Sequence, residues 1–367
     1  MVFFIFLLGW IFSWPNEGFA QPRPLHFLHL TFHKGCAREI ETVAKLFAHE
    51  VTTWWIPGLE PGAFDGISYG NALYNIDHVR AASIWNLHQK TFEQFDGVIT
   101  SDTAALARIF LQNNFEKPLI IWICNRIDYC DAASLDCLFP DPEFYQLFNA
   151  AHLKKNVTII AYTPFEHIYA KKMGIETQDL VITPCAPDVE SFCARSCIPS
   201  DVLKQKTFFL PPYHNETIFM NLAQWCDQLK IPVYCGRYNG PEDLRDFKGI
   251  IHLPYAWSNL AFFENIACGI PYFIPSRRFF KMLLQQSGYW HINADWLFDE
   301  TYFDLSEWYQ PGREAFITYF DSWEDLKHKI DTAVYPVLRK KTLAYAEQLR
   351  SCMLKRWAFV FEKYVPK

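Results

Sequence analysis

The sequence predicts an α/β protein made of two domains, each with a parallel sheet covered by helices. Short apolar segments alternate with longer amphipathic segments along most of the chain, which is the pattern of repeated strand–helix units. The chain has 367 residues, of which 50% are hydrophobic and 20% are charged. A chain of this length and composition buries more than one small core, so two domains of ordinary size are the natural division.

The first domain is predicted over residues 21–185. Its strands are nearly continuous apolar runs and should be buried on both faces, whereas the Gly- and Pro-rich segment 57–70 should be a loop. The predicted strands are 25–31, 51–56, 97–102, 118–124, 157–162 and 180–183, and the predicted helices are 36–48, 76–95, 103–111, 142–154 and 165–173.

A linker is predicted over residues 186–203, where Pro, Cys and Ser occur without periodicity. The second domain follows over residues 204–335, and residues 336–367 are predicted to form a separate terminal helix. Within the second domain the predicted strands are 207–210, 231–234, 249–253, 271–274 and 316–320, and the predicted helices are 217–230, 259–268 and 278–286.

Residues 1–20 are predicted to be a signal peptide or a short anchor. The run 2–14 is apolar and uncharged, and small residues at positions 18 and 20 fit a cleavage site. The run is shorter than the ~20 residues that span a bilayer. This segment predicts the secretory pathway or another location outside the cytoplasm, and it allows membrane association through residues 2–14. The run has no preceding Lys or Arg, and if it is not a genuine leader the protein is cytoplasmic.

Charge and motif content exclude several classes of protein. The net charge is −6 and no Lys/Arg-rich run is present, so no nucleic-acid partner is expected. The chain lacks the Gly-x-Gly-x-x-Gly and P-loop motifs, which disfavours dinucleotide enzymes and P-loop NTPases. A Gly-x-Ser-x-Gly string occurs at residues 66–70, but it lies in the predicted loop and not between a strand and a helix, so it is no nucleophile elbow and a serine hydrolase is disfavoured. The 11 cysteines have no zinc-site spacing, so no metal site is predicted. The loop-like pairs Cys130/Cys137 and Cys193/Cys197 are the better disulfide candidates, and the cysteines of apparent strands and helices are interpreted as small hydrophobes.

The segment 252–276 carries the most specific signal in the chain. It is predicted to be a strand, a polar loop, a helix that begins near Asn259 and a second strand. Ser258 and Asn259 are good helix N-caps, so free backbone N–H groups and the positive end of the helix dipole should accept a phosphate there. Glu264 is the fifth residue of this helix, where its carboxylate could reach a sugar hydroxyl beside the phosphate. The alternative is a plain strand–helix–strand unit in which Glu264 is solvated.

This segment resembles the donor-binding half of GT-B glycosyltransferases, in which a helix glutamate before an Ala-Cys-Gly-x-Pro turn contacts the nucleotide ribose. The resemblance implies two Rossmann-like domains and a C-terminal helix that crosses back onto the first domain. It departs from the two-glutamate retaining pattern, because Ala256 stands eight positions before Glu264. The absence of an Asp-x-Asp motif favours a metal-independent reaction.

Further donor-site candidates lie on neighbouring loops of the second domain. Arg237 offers a guanidinium to a phosphate, although a solvated loop arginine is the alternative. Tyr255 or Trp257 could stack on a ring, Ser258 with the helix N–H groups could hold a diphosphate, and Ser276 could supply a second phosphate contact.

The first domain offers a candidate catalytic pair at the carboxyl ends of its strands, where active sites of parallel sheets form. His33 follows the first strand and Asp102 ends a later one. This arrangement resembles inverting UDP-glycosyltransferases, in which such a histidine deprotonates the acceptor and such an aspartate orients it. The alternatives are a surface histidine and an aspartate that caps the following helix. Gly35 lets a ligand approach the backbone closely.

The resemblance implies a glycosyltransferase that uses a UDP- or GDP-linked sugar as co-substrate, with no other cofactor, and a glycan or other hydroxyl acceptor. Two alternatives stay open. One is an exported two-domain protein that binds a ligand without chemistry, and the other is a catalytically inactive GT-B protein that binds glycans.

Overall fold

The computed structural model describes residues 23–129, 142–185, 207–212, 220–287 and 300–365. Two five-stranded sheets, both parallel throughout, confirm the predicted α/β class. The first sheet contains strands β1 (His26–Thr31), β2 (Glu50–Trp55), β3 (Gly97–Asp102), β4 (Leu119–Ile123) and β5 (Val157–Ala161). The second contains β6 (Phe208–Leu210), β7 (Val233–Cys235), β8 (Ile250–Ile251), β9 (Tyr272–Pro275) and β10 (Thr318–Phe320).

The helices alternate with the strands as expected for strand–helix units. Those of the first half are α1 (Lys34–Leu46), Ala72–Asn75, His78–Phe92, Arg108–Leu111, Pro142–Ala151 and Pro164–Lys172. In the second half they are Leu222–Gln228, Leu260–Ala267, Arg277–Ser287, Glu300–Phe303, Trp323–Thr332 and Tyr335–Glu362. We call Leu260–Ala267 the cleft helix and Tyr335–Glu362 the terminal helix.

The two sheets have the same topology. The first has the strand order β2-β1-β3-β4-β5 and the second the order β7-β6-β8-β9-β10. In each sheet the first strand in sequence lies between the second and the third, so the chain reverses its direction across the sheet at that point. Loops that follow these strands diverge to opposite faces and leave a crevice at the carboxyl edge, which is where ligands bind in open parallel sheets.

The strands form where the sequence is continuously apolar. Every residue of β3, β4 and β5 is buried, which is the pattern of a sheet covered on both faces. The cleft helix begins at Asn259, whose side chain caps it, and ends before Gly269, which adopts the left-handed conformation with φ 71°. Local signals in the sequence therefore define both ends of the cleft helix.

The terminal helix joins the two halves of the chain. Near its start Tyr345 stacks on Phe316 of the second domain, with ring centroids 4.2 Å apart. Near its end Trp357 packs edge-on against Trp122 of β4 at 5.8 Å. Buried residues of both sheets belong to one continuous apolar core, and a smaller core lies within the second domain. The structure thus confirms the predicted crossover of the terminal helix.

Some sequence-based expectations need correction. The predicted strand 180–183 is only a single bridge between Val181 and Ala161, because a turn precedes it and Pro184 follows it. The predicted helix 103–111 is a 3-10 turn, Ala104–Ala107, followed by one α-helical turn. The predicted leader, the linker and the four cysteines proposed as disulfide partners lie outside the described residues. Within the ranges given above, no helix is both long and apolar enough to cross a membrane.

Candidate functional site

The candidate site lies where the carboxyl edges of the two sheets face each other. On the first sheet it is built by the loop after β1 and by the end of β3, which are the strands at the switch of direction. On the second sheet it is built by the loop after β8 and by the cleft helix. The structure therefore brings the first-domain candidates His33 and Gly35 opposite the second-domain candidate Glu264.

His33 caps helix α1. Its Nδ1 accepts a hydrogen bond of 3.1 Å from the Gly35 backbone N–H, and its side chain is exposed. The adjoining Cys36 thiol raises the pKa of His33 to about 9, and Asp102 and Glu264 act in the same direction as the thiol. The imidazolium form is therefore stabilised by groups from both domains.

Asp102 lies at the end of β3 with an unusual backbone. Its φ is 76°, which is uncommon for a residue other than glycine, and its side chain is buried. Oδ1 accepts from Asn125 at 3.1 Å, and Oδ2 has no hydrogen-bond partner among the described residues. Burial raises the pKa of Asp102 well above its ordinary value, although His33 opposes the shift. The following turn is capped by Thr103, so the interpretation of Asp102 as its N-cap is wrong.

Cys36 is a site residue that the sequence reasoning missed. It lies in the first turn of α1, is 3% exposed, and places its Sγ 3.8 Å from Sγ of Cys124, the residue after β4. Contacts with Cys124, His33 and Ser101 lower the pKa of Cys36 to about 6 despite burial. The signal available in the sequence was a cysteine three positions after a helix-capping histidine.

The cleft helix carries the predicted donor-site residues. Oδ1 of Asn259 accepts from the Ala261 backbone N–H at 3.0 Å, and its Nδ2 donates to the Tyr255 hydroxyl. Glu264 is half-buried, and burial raises its pKa to about 7, whereas His33 and Arg38 of the first domain act in the opposite direction. Glu264 therefore lies within electrostatic reach of the loop that carries His33.

The space beside Gly35 is filled by a protein side chain and is not open to a ligand. A Cβ added at this glycine would lie 1.8 Å from Cδ2 of Leu260, the first residue of the cleft helix. The missing side chain thus lets the two domains approach closely at this point. Leu260 occupies the position that the sequence reasoning left for a ligand.

Trp257 and Ser258 occupy the loop between β8 and the cleft helix. The Trp257 ring is 3% exposed and stacks on Phe165 of the first domain, with centroids 4.1 Å apart and planes 13° apart. In this arrangement Trp257 packs the two domains together and offers no open face for a base or a sugar. Ser258 is half-buried beside it.

Ser276 and Arg237 follow other strands of the second sheet. Ser276 comes after β9, donates to Asp321 at 2.5 Å and accepts from the Phe279 backbone N–H at 3.3 Å, so it caps the next helix. Arg237 is exposed and follows the edge strand β7, which is separated from β8 by β6. These two candidates therefore lie farther along the carboxyl edge than Glu264.

Glu307 is a second residue that the sequence did not reveal. It is fully buried beneath the loop after β8, and its backbone N–H donates to the Trp257 carbonyl at 3.1 Å. Neither carboxyl oxygen makes a well-aligned hydrogen bond within the described part of the chain. Burial raises the pKa of Glu307 well above its ordinary value, and Arg313 and the Asn259 backbone N–H oppose the shift. A buried carboxyl group thus lies under the start of the cleft helix.

The residues that the structure describes contain no cluster of three or more His, Cys, Asp or Glu side chains arranged to hold a metal ion.

No model of a protein family matches the chain, and no curated protein matches it. Solved structures do. The glycotransferase of kitacinnamycin is 11% identical with a TM-score of 0.50, covering 94% of this chain and 100% of its own. A putative UDP-N-acetylglucosamine 2-epimerase from Listeria monocytogenes is 10% identical with a TM-score of 0.49, covering 92% of this chain and 97% of its own. The glycosyltransferase SnogD from Streptomyces nogalater is 10% identical with a TM-score of 0.46, covering 92% and 100%. At these identities the likeness concerns the fold alone. The first of these structures, together with the two parallel five-stranded sheets, bears out the predicted GT-B fold.

Proposed function

We propose that this GT-B chain is a glycosyltransferase that moves a sugar from a UDP- or GDP-linked donor to a hydroxyl group of a glycan or another acceptor. One observation supports it above the others. His33 and Glu264, selected from separate patterns in the two halves of the sequence, face each other where the carboxyl edges of the two sheets meet. A cleft between two such edges is the usual ligand site of α/β proteins.

The donor would bind on the second domain. The Glu264 carboxylate would accept hydrogen bonds from the ribose hydroxyls. The first backbone N–H groups of the cleft helix, with the Ser258 hydroxyl, would hold the diphosphate. The positive end of the helix dipole stabilises the charge that develops on the leaving nucleoside diphosphate, so no metal ion is required in this proposal.

The acceptor would be activated on the first domain by His33. A neutral imidazole has one nitrogen lone pair, and here Nδ1 uses it to accept from Gly35. An acceptor hydroxyl must therefore compete with the helix cap for that lone pair. Cys36, Asp102 and Glu264 then stabilise the imidazolium that proton transfer produces.

Donor entry would require movement between the domains. Leu260 packs directly against Gly35, and Trp257 stacks on Phe165, so both contacts hold the cleft closed. We therefore include in the proposal a hinge opening that separates these pairs before the nucleotide binds.

Calorimetric titration with UDP and GDP tests the donor site. Glu264→Ala should weaken nucleotide binding about ten- to hundredfold, because a hydrogen bond to a charged group contributes about 1.5–3 kcal/mol. Glu347→Ala is the matched control, since Glu347 is exposed on the terminal helix. If the wild-type chain binds neither nucleotide, the donor-site proposal is wrong.

Transfer from UDP- or GDP-sugars to an acceptor panel tests the catalytic role. His33→Ala should abolish transfer and lower nucleotide affinity far less than Glu264→Ala does. The control is His328→Ala, which changes an exposed histidine of the second domain. Nucleotide binding without transfer by the wild type would favour the inactive glycan-binding protein. Glycan binding without nucleotide binding would favour the exported binding protein.

Export through residues 1–20 and membrane association through residues 2–14 belong to this proposal, and cell fractionation with and without residues 1–20 tests them.

A further inference from the structure

Two thiols lie next to each other inside the candidate site. Cys36 begins helix α1 after β1, and Cys124 follows β4, with β3 between those strands. Their sulfur atoms are 3.8 Å apart and both side chains are buried. A disulfide needs a separation of about 2 Å, so the side chains must rotate toward each other for the bond to form.

The two thiols differ in a way that suits them to different steps. Cys36 lies at the positive end of a helix beside the His33 ring, which are the two surroundings that stabilise a thiolate. Cys124 is buried beside the Trp122 carbonyl and near Asp102, and burial raises its pKa well above the ordinary value. Cys36 is therefore the nucleophile of the pair, and Cys124 stays a thiol until an electrophilic sulfur forms beside it.

Access to Cys36 is restricted. Its side chain is 3% exposed and Leu260 fills the space beside Gly35, whereas the neighbouring His33 is exposed. The oxidant considered is therefore a small one, hydrogen peroxide or a small organic hydroperoxide, rather than a bulky disulfide.

We infer that Cys36 and Cys124 are a redox modification site, in which a small hydroperoxide converts the two thiols into a reversible disulfide. The Cys36 thiolate attacks the outer peroxide oxygen and breaks the O–O bond, and the leaving oxygen takes a proton to become water or an alcohol. The Cys124 thiol then attacks the Cys36 sulfenic acid, the S–O bond breaks and water leaves. In total the two thiols lose two electrons and two protons. An organic hydroperoxide takes them up and gives one alcohol and one water, and hydrogen peroxide gives two waters.

The disulfide would change the loop that carries His33. It would tie the first turn of α1 to the end of β4 and remove the thiolate that stabilises the His33 imidazolium. If the proposed glycosyl transfer is correct, as this consequence requires, oxidation lowers transfer activity and a dithiol reductant restores it. The formation of the bond itself does not depend on that function.

Peptide mapping of the full chain is the deciding experiment. The reduced protein is treated with one equivalent of hydrogen peroxide, its remaining thiols are alkylated, and the digest is analysed by mass spectrometry without reduction. We expect a peptide pair that joins Cys36 to Cys124 and disappears on treatment with dithiothreitol. Pairing of Cys124 with another cysteine, or the absence of a link to Cys36, overturns the proposal.

Two other cysteines serve as internal controls in the same digest. Cys352 is exposed on the terminal helix, and Cys226 is fully buried in the second domain. Oxidation of Cys352 before Cys36 would show that exposure alone governs the reaction, which overturns the proposal. In Cys124→Ser the reaction should stop at a Cys36 sulfenic acid that dimedone traps, and failure to trap it counts against the mechanism.

The mapping also separates this inference from the proposed function. A chain that binds no nucleotide but forms the Cys36–Cys124 bond refutes the glycosyltransferase and leaves the redox site intact. A chain that transfers sugar but forms no such bond refutes only the redox site.

Discussion

Replacement of Gly35 by alanine tests the packing of the two domains directly. The added Cβ would lie 1.8 Å from Cδ2 of Leu260 and 3.0 Å from Nδ1 and Cε1 of His33. Carbon atoms in contact are about 3.5–4.0 Å apart, so the Leu260 methyl group must move by about 2 Å. We expect Gly35→Ala to destabilise the protein even though alanine is the better helix former.

The expected magnitude follows from two opposing terms. An extra methyl group in a packed contact costs about 1–3 kcal/mol, whereas Gly to Ala within a helix gains about 0.5–1 kcal/mol. Gly35→Ala should therefore lower the free energy of unfolding by about 1 kcal/mol, and by at most about 2.5 kcal/mol. In the Leu260→Ala background the contact at 1.8 Å is removed and only the two contacts of 3.0 Å with His33 remain, so the same change should cost clearly less than in the wild type.

The assay is urea unfolding of the four proteins of this double-mutant cycle, followed by tryptophan fluorescence and far-UV circular dichroism. Coincident transitions by the two probes are required, because a two-domain chain need not unfold in one step. Gly62→Ala is the matched control, since its Cβ would meet only the Glu60 carbonyl at 3.8 Å. If Gly35→Ala has the same effect in both backgrounds within about 0.5 kcal/mol, the contact does not exist as described.

Three further predictions concern the same interface. Trp257→Ala should lower the free energy of unfolding by about 3–5 kcal/mol in urea titrations, because a buried ring stacked on Phe165 is lost. Burial raises the pKa of Glu166 from 4.5 to about 7, so its contribution to stability is complete below pH 4.5 and is lost as the pH rises toward 7. Glu166→Gln, which keeps an acceptor for the Thr163 N–H, should therefore match the wild type at pH 4.5 in urea titrations and exceed it at pH 8. Finally, kcat/KM for transfer should rise with pH toward 9, because only unprotonated His33 accepts a proton, and a profile flat from pH 7 to 9 would contradict the assigned base.

Much of the fold could be predicted from the sequence because its determinants are local. The buried runs that became β3, β4 and β5 are apolar over their whole length, and the strand–helix alternation implies parallel pairing. Four of the five strands of the second sheet are shorter than predicted. β8, for example, contains only Ile250 and Ile251, because pairing with neighbouring strands decides where a strand ends.

The candidate site, like the fold, has parts that the sequence predicts and parts that it does not. The positions of His33 and Glu264 could be expected because each is fixed by a local signal, the end of a strand or the register of a capped helix. Leu260 and Trp257 could not be placed, since their contacts with Gly35 and Phe165 depend on how the two domains pack. Such contacts join residues far apart in sequence, and no local pattern specifies them.

The partner of His33 illustrates how packing alters a role inferred from sequence. In the inverting UDP-glycosyltransferases that this pair resembles, an aspartate orients the histidine and stabilises its protonated form. Here Asp102 is buried and bound to Asn125, and burial raises its pKa well above the ordinary value, which opposes the charged form that this role requires. The Cys36 thiol has the largest effect on the pKa of His33, and contacts with Cys124, His33 and Ser101 favour its thiolate. The group with the largest effect on the pKa of His33 is thus a thiol rather than the expected carboxylate, and an oxidant that consumes this thiol also acts on the base.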